Sequence, residues 1–371
     1  MSAANRRYDI DWLRVIAIGL LLVYHVAIGF QSWGIMIGFI TNSNTWQSLW
    51  VPMAMLNVWR IPLLFFVSGM GVYFAMQSRN WKQLLKERAR RIFVPFVFGI
   101  FFIVPVHMYF WQSYYHQKIS YQPGVAHLWF LGNIFVYVLV LLPLFFYLKR
   151  NEDGKIVAWI KKLLGSPFCL PLVIAIFMIE VLLVNPNPYE MYAMTWHGFF
   201  LGLIAFFFGF CFVLSGSSFR NMLLKWRWVF FMMAVLLYAW RMLQVGWKVP
   251  DFLLVIETNC WIFALLAFAH KYLNRPGKAL RYLSQAAYPV YIIHMMFLFL
   301  ASLLIFPLSI DVHLKFILVL TFTFSGCFIC YEFIIKRIGI IRPLFGLTNE
   351  KMKANDNSIE SKNEIAFIQG L

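Results

Sequence analysis

The chain of 371 residues is 62% hydrophobic and 19% aromatic, and only 13% of it is charged, where a soluble domain carries about a quarter charged residues. This composition excludes a soluble globular enzyme, a coiled coil, a disordered chain and a disulfide scaffold, and it indicates a membrane protein. A net charge of +17 would suggest a nucleic-acid partner in a soluble protein. Here we expect the excess of basic residues to reflect membrane topology. We therefore expect the lipid bilayer as a partner and no nucleic acid.

A hydrocarbon core of about 30 Å requires roughly 20 mostly apolar residues per helix, and ten stretches qualify. In chain order they cover approximately 10–30, 49–76, 92–111, 127–148, 168–185, 197–214, 228–246, 252–270, 286–306 and 315–335. The first is too long for a signal peptide and has no small-residue cleavage site. The sequence therefore predicts an all-α polytopic membrane bundle of about ten helices over residues 1–345, followed by a polar, disordered tail over 346–371.

The basic residues divide sharply when alternate loops are assigned to opposite sides of the membrane. The side of the N-terminus receives 27 of the 32 Lys and Arg residues. Cytoplasmic loops carry such an excess. The sequence therefore predicts that both termini and the polar tail lie in the cytoplasm.

The first predicted helix carries Arg14 and His25, eleven residues apart. Eleven steps of 100° return to within about 20° of the same face, with a rise of about 16 Å. Asp11 can pair with Arg14 near the interface, and His25 lies near mid-membrane, where a neutral imidazole is a useful proton acceptor. The alternative is an Arg that snorkels to the headgroups and a His that bonds a neighbouring helix.

The second predicted helix carries Arg60 between Pro52 and Pro62. Because an arginine stays charged at this depth, it requires an anion, a cluster of carbonyl groups or water. Gly69 and Gly71 follow on the same helix, and we expect these small residues to allow close helix packing.

A dense run of basic residues follows that helix and includes Arg88, Arg90 and Arg91, with Glu87 as the opposing charge. One interpretation is an interfacial helix on anionic lipid. The other is a phosphate clamp at the mouth of the bundle, suited to a ligand that carries a nucleotide.

Further polar residues fall inside or at the ends of predicted spans. His127 and Trp129 open the fourth span, His294 lies near the depth of His25, and Glu180 is an intramembrane carboxylate. We take the two histidines and Glu180 as candidates for an acceptor site or pocket, since ionisable groups in a membrane usually serve a function. Trp129, beside His127, joins them as a candidate, and the alternative is a tryptophan of the aromatic belt. Glu257 we expect to neutralise a buried arginine.

No metal site is predicted. Cys327 and Cys330 form a CxxC pair, but a single pair without His or a second pair is weak evidence for a metal. We expect all five cysteines to be small buried apolar residues.

Five segments together resemble the acyltransferase-three family of integral membrane O-acyltransferases. They are DWLRVIAIGLLLVYH at 11–25, RIPLLFFVSG at 60–69, RARR at 88–91, HLWFL at 127–131 and AYPVYIIH at 287–294. Their order and spacing carry the resemblance, which covers residues 8 to 345. Within the family they look most like the branch associated with succinylation of osmoregulated periplasmic glucans.

The resemblance implies ten helices in the bacterial inner membrane, an acyl-coenzyme A donor (acetyl or succinyl) that enters from the cytoplasm, and a glycan hydroxyl as acceptor. It implies that Arg14 and His25 are essential and that Arg88 and Arg91 form an RxxR motif, beside which Arg90 also contacts the donor. Many relatives carry an extra helix or an extracytoplasmic domain that is missing here, so we expect the bundle itself to recognise the acceptor.

We therefore expect His25 to act as general base or transient acyl acceptor, with Arg60 as a donor to the thioester carbonyl. Two alternatives stay open. One is a transporter or flippase for a glycan, lipid or anionic metabolite, for which proline-interrupted spans and buried charges are ordinary. The other is a bundle that passes acyl groups to a partner enzyme. The sequence also leaves open whether the chain forms a homo-oligomer.

Overall fold

The computed structural model describes residues 7–347 except 245 and 247. Arg6, which was used to predict the topology, and the predicted tail from residue 348 onward lie outside the described residues.

Eleven helices of at least ten residues, together with short 3₁₀ turns, form most of the described part of the chain, which contains no strand. They are α1 Tyr8–Ile28, α2 Trp50–Ala75, α3 Trp81–Tyr114, α4 Trp129–Arg150, α5 Lys155–Leu164, α6 Cys169–Val184, α7 Trp196–Leu214, α8 Gly216–Met242, α9 Asp251–Tyr272, α10 Lys278–Ile305 and α11 Val312–Ile335. Within α3 and α11 the helix is interrupted by π-helical turns, at Ala89–Phe93, Gly99–Ile103 and Tyr331–Ile335. The predicted all-α class is confirmed.

Nine helices in the described residues are long and apolar enough to cross a membrane, and a tenth span results if α5 and α6 count together. The predicted fifth span differs from expectation, because α6 has only 16 residues and bends from α5 by 100°. The short helix α5 carries Lys155, Lys161 and Lys162 but exposes Ile156 and Trp159. A short helix with basic and exposed apolar residues is typical of one that lies along a membrane surface.

The bundle has a central group of helices and an outer group. Helices α2, α7, α9 and α10 are mostly buried within the protein, whereas α3, α4, α8 and α11 turn most of their apolar residues outward. Lipid-facing apolar side chains need no protein partner, because the bilayer is itself apolar.

Polar contacts connect the ends of neighbouring helices. At the end where α1 begins, Tyr8 N donates to Asn274 Oδ1 at 3.0 Å, and Tyr73 Oη donates to Glu152 Oε1 at 3.3 Å. We call this the basic end, because Arg14, Arg88 and Arg91 lie there. At the opposite end, Lys315 Nζ donates to Asn42 Oδ1 at 3.1 Å.

Glycines allow α2 and α7 to touch along their backbones. A Cβ atom on Gly69 would overlap the carbonyl oxygen of Phe206, and one on Gly209 would overlap the carbonyl oxygen of Phe66. The predicted close packing at Gly69 is therefore confirmed. Gly71 differs, because a Cβ there would meet only Arg14 Nη2, at 3.6 Å.

Pro62 shapes the middle of α2. A proline has no N–H, so the carbonyl of Val58, four residues earlier, loses its helical partner. Tyr192 Oη and Thr258 Oγ1 donate to this carbonyl oxygen at 3.0 and 3.1 Å. The proline thus ties α2 to α9 and to the loop before α7 in the turn that carries Arg60.

Replacing Gly69 with Ala is expected to lower the free energy of unfolding by about 3 kcal/mol, because overpacking against a backbone carbonyl forces two helices apart. Gly71→Ala, two residues further along the same helix, is the matched control and should change it by less than about 1 kcal/mol. Denaturant unfolding in detergent measures both. Equal stability of the two variants would contradict the close packing of α2 against α7.

Candidate active site

Two histidines from distant parts of the chain meet inside the bundle. His25 Nδ1 on α1 lies 2.8 Å from His294 Nε2 on α10, and the rings are nearly parallel with centroids 5.1 Å apart. His294 has no exposed surface, whereas His25 is only half-buried. The pair therefore has one fully buried member and one partly exposed member.

The chain around His294 is held by three hydrogen bonds. His294 Nδ1 lies 2.6 Å from the carbonyl oxygen of Tyr291, and His127 Nε2 lies 3.0 Å from that of Ile292. Tyr291 Oη donates to the carbonyl oxygen of His127 at 2.5 Å. These contacts attach the turn before α4 to the middle of α10, and they bring the ring of His127 within 5.0 Å of that of His294.

A fourth histidine, His107 on α3, completes the group. Its ring centroid lies 5.6 Å from that of His127, and the residue is 2% exposed. The sequence predicts no role for His107. The π-helical turn at Gly99–Ile103 adds a residue to one turn and rotates the chain that follows, so a regular helical period cannot place this side chain. We call His25, His107, His127 and His294 the histidine cluster.

Arg60 lies beside the histidine cluster. Its guanidinium is 3.7 Å from the ring centroid of Tyr24, the residue before His25, and the side chain is 2% exposed. Nε and Nη1 of Arg60 have no hydrogen-bond partner, and its charge acts on the rings of both His25 and His294. The structure thus places a buried cation with available N–H groups next to the half-buried histidine.

Arginines from two segments, α1 and the start of α3, converge at the basic end. Arg14 Nη1 lies 3.5 Å from Asp11 Oδ1, as expected. Arg88 Nη2 donates to the carbonyl oxygen of Gly71 at 3.3 Å, and Arg14 Nη2 lies near the same glycine. Arg14 and Arg88 therefore meet at Gly71, and Nε of Arg88 is buried without a partner.

Glu87 is the counter-charge for the arginines around it. Arg79 Nε lies 3.3 Å and Arg91 Nη1 3.1 Å from its carboxylate. The side chain of Arg91 is 49% exposed, and Arg90 is also exposed. Of the RARR segment, only Arg88 reaches into the bundle. We call Arg14, Arg88 and Arg91 the arginine cluster.

Tyr288 on α10 is a further candidate residue of the site. Its hydroxyl oxygen is buried without a hydrogen-bond partner, and it lies close enough to Arg88 for that charge to act on it. On α10 it precedes Tyr291 by three residues, so both side chains lie on one face. The sequence does not single out this residue, because an unpaired buried hydroxyl can be recognised only in three dimensions.

Other predicted residues lie elsewhere. Glu180 pairs with His197 Nδ1 at 3.0 Å, and neither joins the histidine cluster. Trp129 packs against Phe65, with ring centroids 6.1 Å apart.

The buried arginine that Glu257 neutralises is Arg241. Its Nε and Nη2 donate to the two oxygens of the Glu257 carboxylate, each at 2.9 Å. This confirms the role expected for Glu257. Arg241 also lies 3.7 Å from Glu190, so its charge is compensated within the protein.

Within residues 7–347, leaving out 245 and 247, no group of three or more His, Cys, Asp or Glu is arranged to hold a metal ion. The five cysteines are free thiols, and four of them are buried.

The sequence profile of an acyltransferase domain family, Acyl_transf_3, matches residues 7–332. The chain belongs to this acyltransferase family. No curated protein and no solved structure matches it. The matched range contains every residue of the histidine and arginine clusters.

Because the chain belongs to this family, the protein is a membrane acyltransferase, an enzyme that transfers an acyl group to a hydroxyl of a carbohydrate or a similar acceptor. It favours an enzyme over the transporter or flippase that the composition also allowed. The clusters give this acyltransferase a candidate base and a candidate anion site, connected through α1 and α10.

Proposed function

We propose that this acyltransferase takes an acyl group from cytoplasmic acyl-coenzyme A and transfers it to a hydroxyl of an extracytoplasmic glycan. The observation that carries the proposal is the position of the arginine and histidine clusters on one wall of the bundle. Arg14 and His25 stand eleven residues apart on α1, a rise of about 16 Å. A long donor could therefore bind its charged head at one cluster and react at the other.

The arginine cluster suits the coenzyme A headgroup, which carries several phosphate charges. Arginine binds phosphate through charge-assisted hydrogen bonds. Arg14 and Arg88 already meet at Gly71, while Arg88 Nε and the hydroxyl of Tyr288 are buried without partners. We propose that the donor supplies those missing partners, while the exposed Arg91 contributes charge at the entrance. Arg90 is also exposed and would contact the part of the headgroup that stays outside the bundle.

In the reaction, His25 acts as general base on the acceptor hydroxyl. As the proton moves to the imidazole, the hydroxyl oxygen attacks the thioester carbonyl, and the C–O bond forms. Arg60, with its unpaired N–H groups, stabilises the negative charge that develops on the carbonyl oxygen. The C–S bond then breaks, and the thiolate of coenzyme A takes the proton from His25.

A relay through an acyl-histidine is the alternative route. His25 would attack the thioester, release coenzyme A, and pass the acyl group to the acceptor hydroxyl in a second step. The half-buried ring of His25 suits either role.

For the acyl group we propose succinyl first and acetyl second. Resemblance to glucan biosynthesis protein C favours succinyl and a glucan acceptor. Of the two arginines inside α2 and α8, Arg241 is already bound by Glu257. Arg60 therefore has N–H groups available for the carboxylate of a succinyl group.

The excess of positive charge supports a cytoplasmic basic end. We accordingly propose the bacterial inner membrane as the location. The transferring unit is the single chain, without a partner enzyme.

The decisive experiment is an assay of the full-length protein in detergent with acetyl-CoA or succinyl-CoA and glucan oligosaccharides. We expect release of free coenzyme A and an acylated oligosaccharide in equal amounts, measured by thiol titration and mass spectrometry. His25→Ala should lower this rate by at least about 100-fold, the loss expected for a general base. His313→Ala, at an exposed histidine, should keep it. Full activity of His25→Ala would show that the base is misassigned, and no coenzyme A release by wild type would favour a transporter.

Arg88→Ala should raise the KM for acyl-coenzyme A about tenfold and change kcat less, because a charge-assisted hydrogen bond contributes about 1.5–3 kcal/mol to binding. Lys278→Ala, which removes an exposed cation at the same end of the bundle, is the matched control. Initial rates over a range of donor concentrations separate the two constants. An unchanged KM in Arg88→Ala would exclude the arginine cluster as the headgroup site.

A further inference from the structure

We propose that His294 is a positioning residue that fixes the tautomer of His25, so that Nε2 of His25 is the nitrogen that acts on the acceptor hydroxyl. This inference rests on the proposed function and adds a residue to it. From the sequence, His294 is expected only in an acceptor site or pocket.

A backbone carbonyl of α10 fixes the proton on one ring nitrogen of His294. His294 Nδ1 lies 2.6 Å from the carbonyl oxygen of Tyr291. A carbonyl oxygen can only accept a hydrogen bond. Nδ1 of His294 must therefore carry a proton and donate it.

The surroundings of His294 determine its charge. The residue has no exposed surface, and the charged side chain that acts on it is the cation Arg60. In the described part of the chain, no carboxylate forms a hydrogen bond or ion pair with the ring of His25, His127 or His294. A second buried cation beside Arg60, without an anion, is strongly disfavoured. His294 is therefore neutral, and its Nε2 has no proton.

The hydrogen bond to His294 then determines which ring nitrogen of His25 carries the proton. Because Nε2 of His294 can only accept, Nδ1 of His25, 2.8 Å away, must donate. The neutral ring of His25 consequently has a bare Nε2, and His25 is the half-buried member of the pair. The basic nitrogen of His25 is thus Nε2, which does not take part in the hydrogen bond to His294.

This arrangement follows the logic of a catalytic triad, in which a buried acceptor holds Nδ1–H of the catalytic histidine and stabilises the imidazolium that forms. Here a second imidazole, held by a backbone carbonyl, takes the place of the carboxylate. When His25 Nε2 receives the proton of the hydroxyl, its Nδ1–H bond to His294 strengthens, because the donor becomes charged.

Neighbouring contacts keep the acceptor in position. His127 Nε2 bonds the carbonyl oxygen of Ile292, and Tyr291 Oη donates to the carbonyl oxygen of His127. The turn that supplies the Tyr291 carbonyl is therefore attached to the start of α4, which restricts rotation of the His294 ring.

Two substitutions at His294 separate hydrogen bonding from packing. His294→Gln retains an acceptor near the position of Nε2, whereas His294→Leu fills a similar volume with an apolar side chain. Using succinyl-CoA and acetyl-CoA with glucan oligosaccharides, we expect His294→Leu to lower kcat by at least about 100-fold. The reason is that the wrong tautomer of the catalytic histidine strongly lowers kcat in a triad. The KM for the donor should stay within about twofold, because the headgroup site is remote. His294→Gln should retain kcat to within about tenfold.

A spectroscopic measurement tests the proton position directly. In wild-type protein labelled with ¹⁵N-histidine, the Nε2 resonance that disappears in His25→Gln should have the shift of an unprotonated imidazole nitrogen. The same resonance should move towards the protonated value in His294→Leu. A protonated Nε2 in resting wild type would overturn the proposal, even if a variant failed to fold.

The outcomes also separate this inference from the proposed function. If His25→Ala is inactive but His294→Leu keeps its kcat, His294 does not position the base, and the proposed function stands. If His294→Gln and His294→Leu both fold and lower kcat equally, the acceptor role is wrong. If His25→Ala itself keeps full activity, the failure lies in the assignment of the base.

Discussion

The hydrogen bond between His25 and His294 is the contact on which the rest of the site depends. It joins α1 to α10 within the apolar part of the bundle, where a polar group without a partner is costly. His294 satisfies both of its ring nitrogens within the protein, whereas His25 satisfies one. This imidazole pair therefore has one nitrogen left for chemistry, beside a buried arginine whose Nε and Nη1 are unpaired.

Prolines and glycines in α2 hold that arginine in place. Gly69 brings α2 against α7, and Pro62 frees a carbonyl that Tyr192 and Thr258 bind. Arg60 lies in the same turn as that carbonyl, so hydrogen bonds from two other segments hold the turn that carries it. By contrast, Arg241 is neutralised by Glu257. The two intramembrane arginines thus differ in a way that composition cannot show: one stabilises the bundle, and the other has donors to offer.

The sequence predicted the helices well, because apolar length follows from membrane thickness. It also predicted the pairing of Arg14 with Asp11 and the neutralisation of a buried arginine by Glu257. It did not predict the bend between α5 and α6, the contact of Glu180 with His197, or the positions of His107 and Tyr288. Those depend on π-helical turns and on contacts between distant segments. The helical period that places neighbours on one helix carries no information about them.

The central claim is that this chain alone moves an acyl group from a donor on one side of the bundle to a glycan hydroxyl. Proteoliposomes that contain only this protein, with glucan oligosaccharides sealed inside and acyl-labelled succinyl-CoA or acetyl-CoA outside, test it most directly. The account predicts labelled glycan inside and an equal amount of free coenzyme A outside. Release of coenzyme A without labelled glycan, or no reaction with either donor, would contradict it.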